Sequence, residues 1–506
     1  MRRSVFLPVL VPVLVGLGGC LLGPNYVRPT IDTPATFRFE SGEAAEVANA
    51  AWWEQFQDPV LNELIATALA DNKDIKIAAA RVDQFRGQFV TTRAGLFPQV
   101  SAGFQAGRQR ESQAGPLPLP AGVSPVFNDF QQTLSAAWEI DLFGKVRRET
   151  ESARASLLAS EEGRRATILA LVASVATAYI NLRDLDAQLV IAKETTSSRA
   201  ESVHVFTLRF GGGDVSQMEL AQSQSEYEAS LATIPQLEVQ IAQQEDALSV
   251  LLGRNPGEIL RGRELADLAV PAVPAGLPSD LLERRPDLLQ AEQNLVAANA
   301  LIGAARALYF PSISLTGLFG SVSGEFSKLF TGPARVWAFA GSVSVPIFTA
   351  GSISGQVRQA EAQQQQALVQ YQQAIQTAFQ EVDDALIALQ KSREQLVVLG
   401  REVESLRTYA RLARLRYEGG YTSYIEVLDA ERSLFNAQLS YTQTNGVVYG
   451  SVVALYKAMG GGWVVTAEQM THKEPAQQGM QQGDQHSAIG PKLEPKAQQS
   501  VAELPR

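Results

Sequence analysis

Cysteine and histidine are almost missing from this chain. Its 506 residues hold one cysteine, Cys20, and three histidines, His204, His472 and His486. That set excludes a disulfide framework, a Cys/His zinc site and a Cys–His nucleophile pair. No GxSxG, GxxxxGK(S/T) or HExxH occurs, so common hydrolase, nucleotide-binding and zincin chemistry lacks its motif. Charged residues are scarce at 19 %, below the ~25 % of typical soluble domains. The formal charge is −10, which leaves no basic excess for nucleic acid. The expectation is a protein with no catalytic residue, no metal site and no cofactor.

Proline is missing from two long windows, 126–234 and 347–474. Proline breaks helix interiors at a cost of ~3 kcal/mol, so the windows predict very long helices. Pro235 closes the first window inside a helical pattern and predicts a kink that its copy-two counterpart, Thr442, lacks.

Arg2 and Arg3 precede an apolar stretch from Val5 to Val15, and LGLGGC follows, ending at Cys20. This is the order of a signal peptide, and the stretch is too short to span a bilayer. Leu17-Gly18-Gly19-Cys20 resembles a bacterial lipobox, which makes Cys20 the candidate lipidation site, carrying acyl chains such as palmitate. Leu21 follows the cysteine rather than an aspartate, which favours the outer membrane. No other segment has about 18 uncharged apolar residues, so no spanning helix is expected.

The chain repeats itself. Leu208-Arg209-Phe210-Gly211-Gly212-Gly213 aligns with Leu415-Arg416-Tyr417-Glu418-Gly419-Gly420, and Ser216, Glu219 and Gly253 align with Ser423, Glu426 and Gly460. Upstream, Asp74, Ala94, Phe97 and Pro98 align with Asp287, Ala307, Phe310 and Pro311. The expected organisation is a signal peptide (1–19), an acylated N-terminus and extended linker (20–55), repeat one (56–253), a connector (254–278), repeat two (279–462) and a disordered tail (463–506). In repeat one, strands are expected at 97–113 and 129–142, a long helix at 144–210 and a return helix at 215–252. In repeat two, strands are expected at 310–321 and 336–348, a long helix at 351–418 and a return helix at 423–459.

The strand segments alternate. Phe130, Leu134, Ala136, Trp138 and Ile140 share one parity, and Trp337, Phe339, Val343, Val345 and Ile347 do the same. Period two with one apolar face places a strand between two environments, either a soluble core and water or lipid and a lumen. The lengths match transmembrane β-strands. Four strands cannot close a barrel, so a membrane reading requires a homo-oligomer. The helices carry a seam with steps of three and four, from Ala378, Val382, Ala385 and Leu389 to Ala410, Ala413 and Tyr417, with Ser392 out of place. Both glycine turns precede an S-x-x-E capping box, Ser216/Glu219 and Ser423/Glu426. They predict helical hairpin tips ~100 Å from the strands.

Several long motifs in order then resemble one family. They are Cys20 with GPNYVRP (23–29), Trp52-Trp53 with Phe56 and Pro59, ERRPD (283–287), FPS (310–312), PIFTAG (346–351), RYEGGYTSYIEVLDAERSL (416–434) and ALYKAMGGGW ending at Trp463. The sequence resembles the TolC-like outer-membrane efflux proteins, in the lipoprotein branch of OprM and NodT. The resemblance implies a mainly α fold with a small β part. Long α-helical hairpins would form a periplasmic α-barrel, and four strands would join a shared trimeric, 12-stranded transmembrane β-barrel. It implies a homotrimer in the outer membrane, a passive exit duct for drugs or other small molecules. Its partners would be a periplasmic adaptor and an inner-membrane pump of the resistance–nodulation–division type. Asp429 aligns with the family's gate aspartate and Ile425 with its apolar constriction. Arg416 and Arg432 would link the closed tips, and Gly211, Gly212, Gly213, Gly419 and Gly420 would form adaptor-docking tips. The alternatives are an exit duct for type I protein secretion or metal efflux, and a non-channel structural envelope lipoprotein.

The lipobox reading has a direct check. Cys20→Ser should abolish labelling of the protein by radioactive palmitate in cells, and unchanged labelling would refute it.

Overall fold

The computed structural model describes residues 21–31, 33–34, 36–39, 51–112, 120, 122–271, 278–461 and 463–471. Cys20, the signal-peptide segment and residues 472–506 lie outside the described residues. In chain order the elements are α1 (Pro59–Asp71), α2 (Lys73–Ala94), β1 (Gln99–Arg110), β2 (Val126–Ile140), α3 (Lys145–Gly212) and α4 (Gln217–Leu251). Then come α5 (Pro278–Arg284), α6 (Pro286–Ala307), β3 (Ser312–Ser323), β4 (Arg335–Ser344), α7 (Ser352–Glu418), α8 (Tyr424–Met459) and α9 (Trp463–Met470). The second series repeats the first.

The long helices α3 and α7 have 68 and 67 residues, or ~100 Å each at 1.5 Å per residue. Each packs on its own leading and return helices, α2 and α4 on α3, and α6 and α8 on α7. Helix α3 also packs on α6 and α8, which joins the two copies. The seam is buried as its spacing predicts: Ile168, Val172, Val175, Tyr179 and Leu182 on α3, and Ala378, Val382, Ala385 and Leu389 on α7. Ser392 is buried in line with them, its hydroxyl donating to the Leu389 carbonyl at 3.1 Å. One window of α3 is apolar enough to cross a membrane, but most of it is buried inside the protein. Helix α4 runs unbroken through Pro235.

The short helices are stacked end to end by the same joint in both copies. Asn72, the N-cap of α2, donates its amide to the Leu251 carbonyl at the end of α4 at 2.9 Å. Gly253 turns there with φ +74°, and a Cβ on it would meet the Asp71 carbonyl oxygen at 2.2 Å. In copy two, Arg285 at the start of α6 donates to the Ala458 carbonyl at 3.0 Å, beside Gly460 with φ +61°. Arg285 is almost fully buried and pairs with Asp287 and Glu381, both at 2.7 Å. A guanidinium at that depth needs both carboxylates to offset its lost hydration.

An aromatic knot closes the middle of the helical wall. Trp52 stacks on Tyr456 at 5.3 Å, and Trp463 lies edge-on to Trp52 at 6.0 Å and to Trp53 at 5.6 Å. Trp52, Phe56, Tyr456 and Trp463 are all fully buried. This corrects the expected start of the tail at 463. Residues Trp463–Met470 form α9, because an indole gives up far more water-exposed area than the polar residues that follow can gain by staying extended. Beside the knot, the buried carboxylate of Asp58 caps α1 through the Val60 amide and accepts from Tyr179 Oη at 2.8 Å and from the Arg263 amide at 3.0 Å. Burial, and then this carboxylate, push the Tyr179 hydroxyl above its ordinary value.

The segment expected as a linker is strapped down at its start. Arg148, fully buried, donates to the Leu22 carbonyl at 3.0 Å and to Asn25 Oδ1 at 2.8 Å. Arg28 pairs with Glu292 at 2.5 Å, and Tyr26 donates to the same carboxylate. Gly23 and Gly303 cross so closely that a Cβ on Gly23 would meet the Gly303 Cα at 2.4 Å.

The four strands form one antiparallel sheet in the order β1-β2-β3-β4. One row of paired residues runs Ala102, Leu134, Phe319, Trp337, and the next runs Val100, Ala136, Gly317, Phe339. The other face is polar, with Ser101 bonded to Ser135 and Ser314 to Ser342. Among the described residues no α-helix covers the apolar face, on which Phe326 packs against Phe104 and Phe130 at one end: Trp337 is 68 % exposed and Phe339 76 %.

Removing the knot should weaken the whole helical wall. Trp52→Ala should lower the free energy of unfolding by ~3–5 kcal/mol. Tyr421→Ala, at a site 81 % exposed, should change it by under ~0.5 kcal/mol. Both are read from denaturant midpoints.

Candidate conduit wall and tip gate

The tips lie where the long helices end. Helix α3 stops at Gly213 with φ +82°, and the Asp214 and Gly213 amides bond back to the Arg209 and Phe210 carbonyls. Helix α7 stops in the same way: Gly420 has φ +75°, and the Tyr421 and Gly420 amides bond to Arg416 and Tyr417. This is the Schellman ending, which needs a left-handed residue at one position. Of the five expected tip glycines, only Gly213 and Gly420 carry that requirement. Gly211 and Gly212 are helical residues of α3, and Gly419 has φ −80°.

The two tips then diverge. Ser216 and Glu219 form the full capping box of α4, with bonds of 3.2 and 2.9 Å. The second box, expected at Ser423 and Glu426, does not form. Glu426 is taken instead by Arg416 at 2.8 Å and by the Thr422 hydroxyl. A carboxylate that can reach a guanidinium gains a charge-assisted bond, stronger than a neutral amide offers. Arg416 therefore ties the end of α7 to the start of α8 within one hairpin.

On α8 the early turns are two-faced. Tyr424, Val427, Leu428 and Ala430 are buried with Phe206 and Ala413 in a small tip core. Ile425 and Asp429 lie on the opposite face, Ile425 being 55 % exposed. They are i and i+4, stacked one turn apart. Arg432, i+3 from Asp429, bonds it at 3.0 Å. Their copy-one counterparts are Met218 and Gln222, so only the second tip presents this carboxylate.

Sequence reasoning missed what joins the two hairpins. Phe206 of α3 lies 4.1 Å from Tyr424, and Tyr417 is 5.2 Å from Tyr424 and 6.0 Å from Phe206. Above this trio, Arg414 bonds Glu431 at 2.9 Å and reaches Ser202 of α3 at 3.3 Å. Arg199 of α3 pairs with Glu226 at 3.3 Å and lies over the Phe435 ring. Burial pushes the Glu431 carboxyl up, and Arg414 and Arg199 pull it back; burial likewise raises the Tyr424 hydroxyl. The available signal was a break in the repeat, since Tyr424 aligns with Gln217 and Glu431 with Gln224.

Higher in the wall, a cavity of about 690 Å³ opens between α3, α7 and α8, lined by Asp184, Glu381, Asp384 and Lys457. Burial pushes the Asp184 carboxyl up to about 6. Among the described residues no cluster of histidine, cysteine or carboxylate side chains is arranged to hold a metal ion.

A water-exposed apolar sheet face, an unclosed four-strand edge and ~100 Å helical hairpins together define a membrane-wall protein with a long extension. The model of the outer membrane efflux protein family matches the chain twice, at residues 64–254 and 277–461, and the chain belongs to that family. The two matches follow the internal repeat. The chain is 40 % identical over 462 residues to the probable efflux pump outer membrane protein TtgC of Pseudomonas putida, covering 88 % of this chain and 93 % of that one. It is 36 % identical over 457 residues to the cation efflux system protein CusC of Escherichia coli, covering 89 % and 97 %. Its fold matches the open state of the Neisseria gonorrhoeae MtrE outer membrane channel with a TM-score of 0.79 at 32 % identity, covering 88 % and 99 %. This protein is therefore an outer-membrane channel component of an efflux system.

The glycine assignment separates two neighbours. Gly213→Ala should destabilise the tip by ~1 kcal/mol, because alanine pays for a left-handed conformation. Gly211→Ala should be neutral or stabilising by up to ~1 kcal/mol in the helix. Hydrogen exchange at the tip amides reads the difference.

Proposed function

We propose that three copies close one 12-stranded barrel in the outer membrane and one helical barrel below it, and that this tube is a passive exit duct for small molecules. The observation that carries the reading is the open sheet. Its edge strands β1 and β4 leave backbone groups unpaired, at several kcal/mol each in lipid, unless copies pair edge to edge. The polar face, with its serine pairs, then lines the lumen. The apolar face, with Trp337 and Phe339, meets the acyl chains. Cys20 carries the lipid anchor at the head of the strapped segment.

Transport energy comes from an inner-membrane pump, of the resistance–nodulation–division type, through a periplasmic adaptor. The two glycine tips face that adaptor. Around a threefold axis, three Asp429 carboxylates and three Ile425 side chains converge on the tip. The ring draws cations and repels itself, which narrows and tunes the opening. Arg432 balances each Asp429, and Arg416 holds the hairpin that presents it.

The purified protein should conduct ions in planar bilayers. Asp429→Ala should raise single-channel conductance and reduce preference for cations. A protein that carries no current, before or after this substitution, would sink the duct reading.

A further inference from the structure

The charges on the sheet are sorted by face. On the apolar face the positions are the even residues of β1 and β2 and the odd residues of β3 and β4, as the pairing register requires. That face carries three charged side chains, Arg108, Arg110 and Arg335, and no carboxylate. The polar face carries Asp129 and Glu139 and no cation. Three arginines on a face whose other side chains, apart from Asn128 and Gln132, are Val, Leu, Ile, Phe, Trp and small residues need a reason. Arginine costs ~2–4 kcal/mol at the midplane of a barrel's lipid face and little at its margins.

Their position supplies the reason. Every strand joins its helix at one end: α2 leads into β1, β2 into α3, α6 into β3 and β4 into α7. The hairpin loops are at the other end, away from the helical extension. Arg110 is the last residue of β1 and Arg335 the first of β4, so both lie toward the hairpin-loop end of the sheet, with Arg108 two residues below Arg110 and Arg335 in the paired row of Ser321, Gln132 and Phe104. Ten residues separate Val100 from Arg110, ~34 Å along the strand and ~25 Å in height after tilt. That is the height of the apolar band, so the guanidinium groups meet the outer headgroups.

All three are exposed and form no ion pair with a described residue. Of the nearby acids, Glu111 follows Arg110 in the chain and is exposed without forming an ion pair with it, while the others are engaged or on the opposite face. Glu325 pairs with Lys328 at 2.7 Å, and Asp129, on the opposite face, accepts from Gln131 at 2.6 Å. Arg108 and Arg110 lie on one edge strand and Arg335 on the other. If copies close the barrel, as proposed above, each seam brings the β4 edge that carries Arg335 in one copy against the β1 edge that carries Arg108 and Arg110 in the next. Guanidinium groups grip phosphate oxygens in bidentate fashion. Below them Phe104, Trp337 and Phe339 offer the apolar surface that acyl chains cover.

We infer that the outer rim of this protein is a binding site for a phosphate-bearing lipid of the outer leaflet, with Arg108, Arg110 and Arg335 holding its phosphates. The site would seat one such lipid at each seam and brace the joint between copies.

Native mass spectrometry of the detergent-solubilised full-length protein tests this. The probes are diphosphoryl lipid A, monophosphoryl lipid A, phosphatidylglycerol and inorganic phosphate. Wild type should retain diphosphoryl lipid A, and monophosphoryl lipid A more weakly. The triple variant R108Q/R110Q/R335Q should lose about tenfold in affinity, while the charge-preserving R108K/R110K/R335K should fall between. Equal retention by wild type and the glutamine variant would overturn the site. So would displacement of the lipid by millimolar inorganic phosphate, or phosphatidylglycerol binding that the substitutions leave unchanged. Bilayer conductance of the same samples keeps the duct separate: current without lipid retention refutes only the lipid site, and retention without current refutes only the duct.

Discussion

A strand edge cannot be left open in hydrocarbon. Each unpaired amide or carbonyl there costs several kcal/mol, and a strand has one at almost every residue. Among the described residues the chain makes one sheet of four strands, with β1 and β4 as edges. The rest of the architecture follows from that incompleteness. Copies must meet edge to edge, so the helices that continue from the strands are brought side by side around the same axis. Their length then fixes how far the tube reaches, and their tips fix where it opens.

The helical wall is held by a few repeated devices rather than one large core. The α3 and α7 seams bury small and β-branched residues along their length. Short helices stacked at Asn72/Leu251 and Arg285/Ala458 span the same height as one long helix, and a left-handed glycine at each joint lets the chains approach. The Trp52–Tyr456–Trp463 knot binds both ends of the described chain to the wall. Arg148 fastens the start of the strap beside the foot of the sheet, where Leu21 packs against Gly144.

Much of this was legible from residue order alone. Proline-free windows gave the long helices, the offset between glycine tips gave the repeat, and strand parity gave the two faces in the register later seen. Local signals served where the physics is local. They failed where a partner came from another element. Ser423-x-x-Glu426 reads as a capping box, but Arg416, from the preceding helix, wins the carboxylate. Trp463 sits at the start of a polar, Gln-rich stretch, yet its indole is claimed by Trp52 and Trp53 some 400 residues earlier. The aromatic trio Phe206–Tyr417–Tyr424 spans both repeats and has no spacing to announce it. Asp429 and Ile425 were placed by resemblance. The fold puts them on one exposed face of α8.

The central claim is that the edge of β4 in one copy pairs with the edge of β1 in another. Disulfide trapping measures this directly. Gly103→Cys on β1 is combined with single cysteines at successive polar-face positions of β4, Ser342→Cys among them, in membranes under mild oxidation. The account predicts that one register position gives covalent dimers and trimers on non-reducing gels, with nothing larger. Monomers at every position, or a ladder running past the trimer, would contradict it.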